Sequence, residues 1–219
     1  INLIDLNYLL KNIDAKKSII LILSLIFLDQ FVKIYIKLNY PLTAYGEPPI
    51  IDLGFFKLLF IENKGMAMGA KLNNLIPFLD DNTAKLILTI FRIFACIGIG
   101  FWLKSIIKSK GSQLLIICVC LIFAGAVGNL IDSVFYGMVF SSSYGQVASL
   151  FPESGYASLF YGSVVDMIQF PLATWNWPAW VPFIGGDEYT FFEYVFNFAD
   201  SYISTGVILL LIFNKKVSL

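Results

Sequence analysis

Four long apolar segments restrict what this chain can fold into. They cover about residues 18–38, 85–103, 112–131 and 193–213, and each has about the 20 residues that an α-helix needs to cross a bilayer core of ~30 Å. Hydrophobic residues make up 58% of the sequence and charged residues 14%, whereas a soluble domain has about 45–50% and 25%. The sequence therefore predicts an all-α membrane protein, with four transmembrane helices in a single domain over residues 1–219.

The positions of the lysines predict how these helices are oriented. Lysines precede the first segment, fill the short link between the second and third, and follow the fourth. Because basic residues mark the cytoplasmic side, both termini are expected in the cytoplasm. The first segment is expected to remain as a helix and not to be cleaved as a signal. The loops at about 39–84 and 132–192 then lie outside; residues 50–61 show a strand or hairpin pattern, and the tryptophans of 175–180 are typical of a membrane interface.

The residues that the chain lacks exclude most kinds of catalytic site. It has no histidine, which removes Ser-His-Asp and Cys-His chemistry and the histidine-based zinc sites. The 15 basic and 15 acidic residues give a net charge of zero and form no basic stripe, so nucleic acid is not an expected partner. No phosphate-binding glycine loop is present. The sequence predicts neither a metal nor a cofactor, and leaves carboxylates, lysines and tyrosines for proton transfer.

Two aspartates, Asp166 and Asp200, lie among apolar residues, and no Lys or Arg occurs from Gly111 to Asn214. A carboxylate at the edge of hydrocarbon costs at least a few kcal/mol unless it is compensated. Two carboxylates in one site of low polarity share a proton, so that one can activate water while the other acts as an acid. From the residues alone, an aspartyl protease, a proton-coupled transporter and a purely structural use of the pair stay open.

Two further aspartates lie within or at the ends of the apolar segments. Asp29 has Lys33 one helical turn later, a spacing that permits an ion pair. Asp132 and Asn129 are three residues apart and share a helix face. A structural ion pair and a polar cluster at the end of a helix are the expected roles.

Five short motifs follow one another along nearly the whole chain. They read LDQFVK at 28–33, NKGMAMG at 63–69, GNLID at 128–132, GSVVD at 162–166 and FNFADS at 196–201. Together and in this order they resemble the motifs of the lipoprotein signal peptidase (signal peptidase II) family. The long segment between the third and fourth motifs resembles the Bacteroidetes branch of that family.

The resemblance implies a structure, a reaction and a location. It implies four transmembrane helices with a small extracytoplasmic β-rich cradle, in the bacterial cytoplasmic (inner) membrane, with the active site toward the periplasmic face. It implies an aspartic endopeptidase that cleaves a prolipoprotein before its diacylglyceryl-modified cysteine. Its partners would be the diacylated prolipoprotein and membrane lipid, and a globomycin-type peptide would inhibit it.

The resemblance also assigns the site residues. Asp166 and Asp200 would be catalytic, and the supporting or substrate-binding residues would be Asp29, Lys33, Asn63, Gly65, Asn129, Asp132 and Asn197.

Three departures from the family pattern bear on how substrate is positioned. Ser133 stands where the family usually has an arginine, so that charge is either lost or supplied from elsewhere. About thirty residues, 133–161, separate two motifs that are normally close together. Met66 and Met68 replace the usual Ala and Phe and give a softer apolar wall, in a loop that is expected to cover the substrate. None of these departures changes the proposed catalytic pair.

Overall fold

The computed structural model describes residues 13–43, 48–65 and 79–213. Within these ranges, three helices are long and apolar enough to cross a membrane: α1 (Ala15–Asn39), α2 (Asp81–Lys108) and α3 (Gln113–Ile131), the last continuing to Val139. A shorter apolar helix, Phe198–Ile212, lies where the fourth span was predicted. The lysines predicted to flank the first and last spans at Lys11, Lys215 and Lys216 fall outside the described residues.

The third helix lies at the centre of the bundle, because it contacts α1, α2 and the final helix. Two glycines permit the close approach of the final helix. A Cβ atom at Gly125 would lie 2.2 Å from the carbonyl oxygen of Ala199, and one at Gly128 would lie 3.2 Å from Cβ of Ala199 and 2.7 Å from Oδ2 of Asp29 in α1. The inner part of the bundle is an apolar cluster of Ile22, Leu103, Ile106, Leu115, Ile116, Val119, Cys120 and Ala124.

The end of α3 leads into the long insertion without a break. One π-type turn (Asp132–Tyr136) and a short helix α4 (Gly137–Val139) extend it. The insertion then folds back onto its own start, where the backbone N–H of Gly162 donates to the carbonyl of Ser133 at 2.9 Å. The two motifs that are far apart in sequence, 128–132 and 162–166, are therefore adjacent in the fold.

A small antiparallel sheet covers one end of the bundle. Its strand order is β1-β2-β3-β6, and β4 and β5 form a separate hairpin. The strands are β1 (Ile51–Asp52), β2 (Lys57–Asn63), β3 (Val164–Gln169), β4 (Ala173–Asn176), β5 (Glu188–Phe191) and β6 (Val195–Phe196). In the β2–β3 register, Ile61 lies opposite Asp166 and Asn63 opposite Val164. The hairpin pattern predicted for residues 50–61 is confirmed by the pairing of β1 with β2.

Several helix boundaries differ from the predicted spans, among them the end of α2, which lies at Lys108 and not near 103. The predicted span at 193–213 begins as strand β6, and the helix, α5, starts only at Phe198. Apolar character alone does not distinguish a buried strand from the first turn of a helix. Helix α2 starts at Asp81 and not near Lys85, because the side chain of Asp80 accepts from the first backbone N–H groups and caps the helix.

A second apolar cluster joins the sheet to the bundle. It contains Ile36 of α1, Phe60 of β2, Tyr136 and Phe140 after α3, and Val165 and Met167 of β3. Lys37 is fully buried beside this cluster, where its Nζ pairs with Glu62 and donates to Oγ of Ser143 at 2.8 Å. This contact fixes β2 and the insertion on the end of α1. This packing of the sheet on the bundle brings the ends of β2 and β3 close to the start of α5.

Candidate active site

Asp166 is held in the middle of β3 by two asparagine amides. Its Oδ1 accepts from Nδ2 of Asn197 at 2.7 Å and its Oδ2 accepts from Nδ2 of Asn63 at 3.1 Å. The residue is 3% exposed. Burial, together with the negative charge of Asp200, raises the pKa of Asp166 to about 7. This carboxyl group can therefore keep a proton at a pH at which an ordinary aspartate has lost it.

Asp200 lies in the first turn of α5, where the structure surrounds it with N–H donors. Asn197 caps the helix: its Oδ1 accepts from the Asp200 N–H at 2.9 Å, and its own N–H donates to Oδ2 of Asp200 at 3.3 Å. Nδ2 of Asn129 donates to Oδ1 of Asp200 at 2.8 Å. The N-terminal end of a helix favours a negative charge, so this position suits an ionised carboxylate.

Asn197 connects the two aspartates, because it bonds both of them. Its fully buried side chain also donates to Oδ1 of Asn129 at 3.1 Å. Within the described ranges, neither Asp166 nor Asp200 forms an ion pair with a lysine or arginine. The structure thus brings the two predicted aspartates into one site whose ligands are neutral amides.

A second group of carboxylates lies directly beneath this pair and is built differently. Nζ of Lys33 is 2.9 Å from Asp29, 2.8 Å from Asp132 and 3.0 Å from Oδ1 of Asn129. An ammonium group has three N–H donors, and all three are used. The predicted Asp29–Lys33 pair is present, and Asp132 joins it from α3, which the sequence did not indicate.

Gln30 and Tyr136 complete this buried group, and the sequence analysis missed both. Nε2 of Gln30 donates to Oδ1 of Asp132 at 2.9 Å and to Oδ2 of Asp29 at 3.1 Å. The hydroxyl of Tyr136 donates to Oε1 of Gln30 at 3.0 Å. The position of Gln30 next to Asp29 in an apolar segment was the sequence signal that could have indicated its place in this group.

The lower carboxylates also hold the elements that carry the upper pair. The backbone N–H of Ala199, next to Asp200, donates to Oδ1 of Asp29 at 2.9 Å. The backbone N–H of Val165, next to Asp166, donates to Oδ2 of Asp132 at 3.2 Å. Asp29 and Asp132 therefore fix the backbone on which the two candidate catalytic residues sit.

The turn after β2 is tied to the bundle by Arg92, a residue that the sequence analysis missed. The N–H of Gly65 donates to Oδ1 of Asn63 at 2.8 Å, and the carbonyl of Gly65 accepts from Nη2 of Arg92 at 3.2 Å. Nη1 of Arg92 donates to Oγ of Ser133 at 2.5 Å. A guanidinium from α2 thus contacts the position where the expected arginine is absent. The signal was present, since Arg92 is the only arginine of the chain and lies inside an apolar span.

Each predicted site residue lies in this connected set of contacts. The two carboxylate groups, the asparagines that join them and the Gly65 turn meet at the end of the bundle that the sheet covers. The predicted wall and lid residues Met66 and Met68 lie outside the described residues.

Comparison with known proteins identifies the family. Residues 21–215 match the family model described as Signal peptidase (SPase) II. The chain is 43% identical over 202 residues to a lipoprotein signal peptidase of Porphyromonas gingivalis, covering 91% of this chain and 83% of that protein. It is 33% identical over 195 residues to a lipoprotein signal peptidase of Amoebophilus asiaticus, covering 89% and 75%.

The fold is also similar to that of a solved structure. A bacterial membrane enzyme matches with a TM-score of 0.56 at 22% identity, over 90% of this chain and 92% of the other. The resemblance in the five motifs, including the one to the Bacteroidetes branch, is confirmed. Given a family model that matches most of its length and relatives above 30% identity, the chain belongs to the signal peptidase II family.

Proposed function

We propose that Asp166 and Asp200 are the catalytic pair with which this signal peptidase II removes the signal peptide from prolipoproteins. The observation that carries the proposal is that a buried and a half-buried carboxylate share one site and, among the described residues, accept hydrogen bonds from neutral amide groups and form no ion pair. Neighbouring carboxylates that bond no cation directly favour holding one proton between them. The membership of the family decides between a peptidase and the transporter, in favour of the peptidase.

The environments of the two aspartates support different roles. Asp166 keeps the shared proton, because burial and the neighbouring charge raise its pKa to about 7. Asp200 is the ionised partner, because the cap at the start of α5 supplies donors to its carboxylate. The arrangement suits a general acid beside a general base.

The reaction follows from these roles. Asp200 takes a proton from a water molecule, whose oxygen attacks the carbonyl carbon of the scissile peptide bond. Asp166 donates a hydrogen bond, then its proton, to the carbonyl oxygen. When the tetrahedral intermediate collapses, the carbon–nitrogen bond breaks and the amine leaves with a proton from the carboxyl groups. Water supplies the oxygen of the new carboxyl group, and neither aspartate is consumed.

We infer that this site lies at the periplasmic face of the inner membrane, and the distribution of lysines along the helices supports this orientation. We take α1, α2, α3 and α5 as the four spans, with both termini cytoplasmic. The carboxylate groups lie at one end of the bundle, whereas Lys104 and Lys108 are exposed at the opposite end of α2, as expected for the cytoplasmic side. A site at the outer membrane surface lets the diacylglyceryl chains of the substrate cysteine stay in lipid while the preceding peptide bond is cleaved.

Arg92 acts on this pair from a distance, as a positioning residue. Its guanidinium holds the carbonyl of Gly65, whose N–H holds the side chain of Asn63. Asn63 in turn donates to Asp166. Because Arg92 also donates to Ser133 at the end of α3, it couples the turn after β2 to the bundle.

Replacing the aspartates tests the proposal. We expect Asp166→Asn and Asp200→Asn to lower cleavage of a purified diacylated precursor at least about 10³-fold, while the protein stays folded and inserted. The exposed Asp187 of the β4–β5 hairpin region gives the matched control, Asp187→Asn, which should cleave at the normal rate. A globomycin-type peptide should block the wild type. Cleavage at a near-normal rate by either aspartate variant would show that the assignment is wrong.

A further inference from the structure

A cavity of about 530 Å³ lies beside the N-terminal end of α2. Its walls come from the turn after β2, the first turns of α2 and the last part of the insertion, and they include Lys64, Asp81, Lys85, Ser158 and Tyr161. Neither Asp166 nor Asp200 lines it. The cavity therefore does not contain the catalytic pair. It adjoins the candidate active site at Gly65, and the insertion forms one of its sides.

Lys85 is the unusual member of the lining. It is 5% exposed, and its Nζ has neither a hydrogen-bond partner nor an ion pair among the residues that the structure describes. Within the same ranges, the other two deeply buried lysines both have carboxylate partners, Asp29 for Lys33 and Glu62 for Lys37. A buried charge without a partner is strongly unfavourable, so Lys85 has the properties of a ligand-binding group whose ligand is an anion.

The charged groups that act on Lys85 are more positive than negative. Arg92 and Lys64 act on it as like charges, and Asp132 acts on it as an opposite charge. Asp81 also lines the cavity but does not pair with Lys85. Hydroxyls at Ser158 and Tyr161 supply neutral hydrogen-bond donors in the same cavity.

The depth of the cavity in the membrane indicates which anion is available. Helix α2 has 28 residues and is about 42 Å long, which exceeds a hydrocarbon core of ~30 Å. Its first turns therefore extend into the headgroup layer, and Lys85 lies only about 6 Å along the axis from the start of the helix. Phospholipid phosphates are the abundant anions at this level.

We propose that this cavity binds the phosphate of a membrane phospholipid, with Lys85 as the main cationic ligand. The hydroxyls in the lining complete the coordination of the phosphate oxygens. The bound lipid would hold the insertion against α2, where Oγ1 of Thr89 already contacts the carbonyl of Phe160 at 2.9 Å. The inference goes beyond the proposed cleavage reaction and uses only the orientation of α2 from that proposal.

Binding and thermal unfolding of the purified full chain in neutral detergent test this site. The ligands are short-chain phosphatidylglycerol, inorganic phosphate and an uncharged short-chain diacylglycerol. The variants are Lys85→Met, Lys85→Arg and, as a matched control at the other end of α2, Lys104→Met. We expect phosphatidylglycerol to raise the unfolding temperature of the wild type, Lys85→Arg and Lys104→Met, and to bind Lys85→Met at least about tenfold more weakly.

Without lipid, Lys85→Met should unfold at a higher temperature than the wild type, because the uncompensated charge is gone. An effect of inorganic phosphate equal to that of the lipid would support the same phosphate site and identify free phosphate as its source. Equal binding of phosphatidylglycerol by the wild type and Lys85→Met would overturn the proposal, as would an effect of the uncharged diacylglycerol equal to that of phosphatidylglycerol. None of these measurements involves cleavage, so their failure leaves the catalytic assignment intact.

Discussion

The two groups of carboxylates at this end of the bundle differ in how their charge is balanced. Asp29 and Asp132 lie on either side of an ammonium group, Lys33, whose three N–H groups all have acceptors. Asp166 and Asp200, in the adjoining layer, are bonded by asparagine amides and backbone N–H groups. An ammonium group balances the charge of the carboxylates that it contacts, whereas neutral donors leave two neighbouring carboxylates able to share a proton.

This contrast explains why neighbouring aspartates can have separate uses. The lower group is structural, because its oxygens accept from the backbone beside each upper aspartate. The upper pair forms no ion pair with any described residue, which suits the proposed proton transfer. Removing the charge balance of the lower group should lower the stability of the fold. Changing the hydrogen-bond donors of the upper pair should mainly lower the rate of cleavage.

The largest effect is expected from removing the cation of the lower group. Lys33→Met leaves two buried carboxylates without compensation, and the loss of one partner from a buried ion pair typically costs about 3–5 kcal/mol. We expect a large drop in the unfolding temperature in detergent, with loss of activity following the loss of structure. Lys16→Met, at the exposed start of α1, is the control and should change stability by less than about 0.5 kcal/mol. Similar stability of the two variants would contradict a structural role for the lower group.

The next effect is expected at Asn197, the residue that joins the upper pair. Asn197→Ala loses the helix cap, worth about 1 kcal/mol, and the amide bond to Asp166. Asn197→Ser can still cap α5 but cannot reproduce the amide donors. We therefore expect Asn197→Ser to keep most of the stability and to lose about hundredfold in kcat. If it cleaves like the wild type, the amide is dispensable and Asn197 serves only as a cap.

A smaller effect is expected at Arg92, which contacts the pair only through other residues. Arg92→Gln should lower kcat about tenfold, because the hydrogen bonds from the guanidinium to the Gly65 carbonyl and to Ser133 are lost. In the background of Asn63→Ala the same change should have little further effect, since Arg92 acts through Asn63. Lys104→Gln on the same helix is the control. Fully additive effects of Arg92→Gln and Asn63→Ala would show that Arg92 does not act through Asn63.

The smallest effect is a change in pH dependence at Asn63. The raised pKa of Asp166 means that its proton is present below about pH 7 and is lost as the pH rises through that value. Activity that needs the proton therefore falls above about pH 7. The hydrogen bond from Asn63 lowers the pKa of Asp166, so Asn63→Ala should move the alkaline limb of the rate profile to higher pH. Asn39→Ala, at the exposed end of α1, should leave the limb in place; a limb that moves down in Asn63→Ala would contradict this electrostatic description.

The local features of the site were predictable from the sequence. The pairing of Asp29 with Lys33 depends only on helical spacing. Asp166 and Asp200 were recognisable because a carboxylate among apolar residues is costly. The hairpin at 50–61 follows from its alternating pattern. The aspartyl protease hypothesis also drew on the absence of histidine, which needs no structure.

The long-range features were not predictable in this way. Nothing in one sequence indicates that Asp132 completes the coordination of Lys33 across α1 and α3, or that residues 133–161 return to Ser133. The start of α5 was predicted too early because Val195 and Phe196 are apolar, like the residues of the helix, but belong to a strand that pairs with β3. Arg92 differs, because its isolation in an apolar span was visible and only its contacts required the fold.

Infrared spectroscopy of the protonated carboxyl group tests most directly whether the upper pair shares a proton. The wild type should show a carboxyl C=O band that disappears as the pH rises through about 7, and this band should be missing from Asp166→Asn. The stability of the folded protein should depend on pH in the same direction. The contribution of the protonated Asp166 to the free energy of unfolding is fully present below the ordinary pKa of 3.8 and is lost as the pH rises through about 7. A wild-type protein without such a band, or a band that persists in Asp166→Asn, would contradict the account.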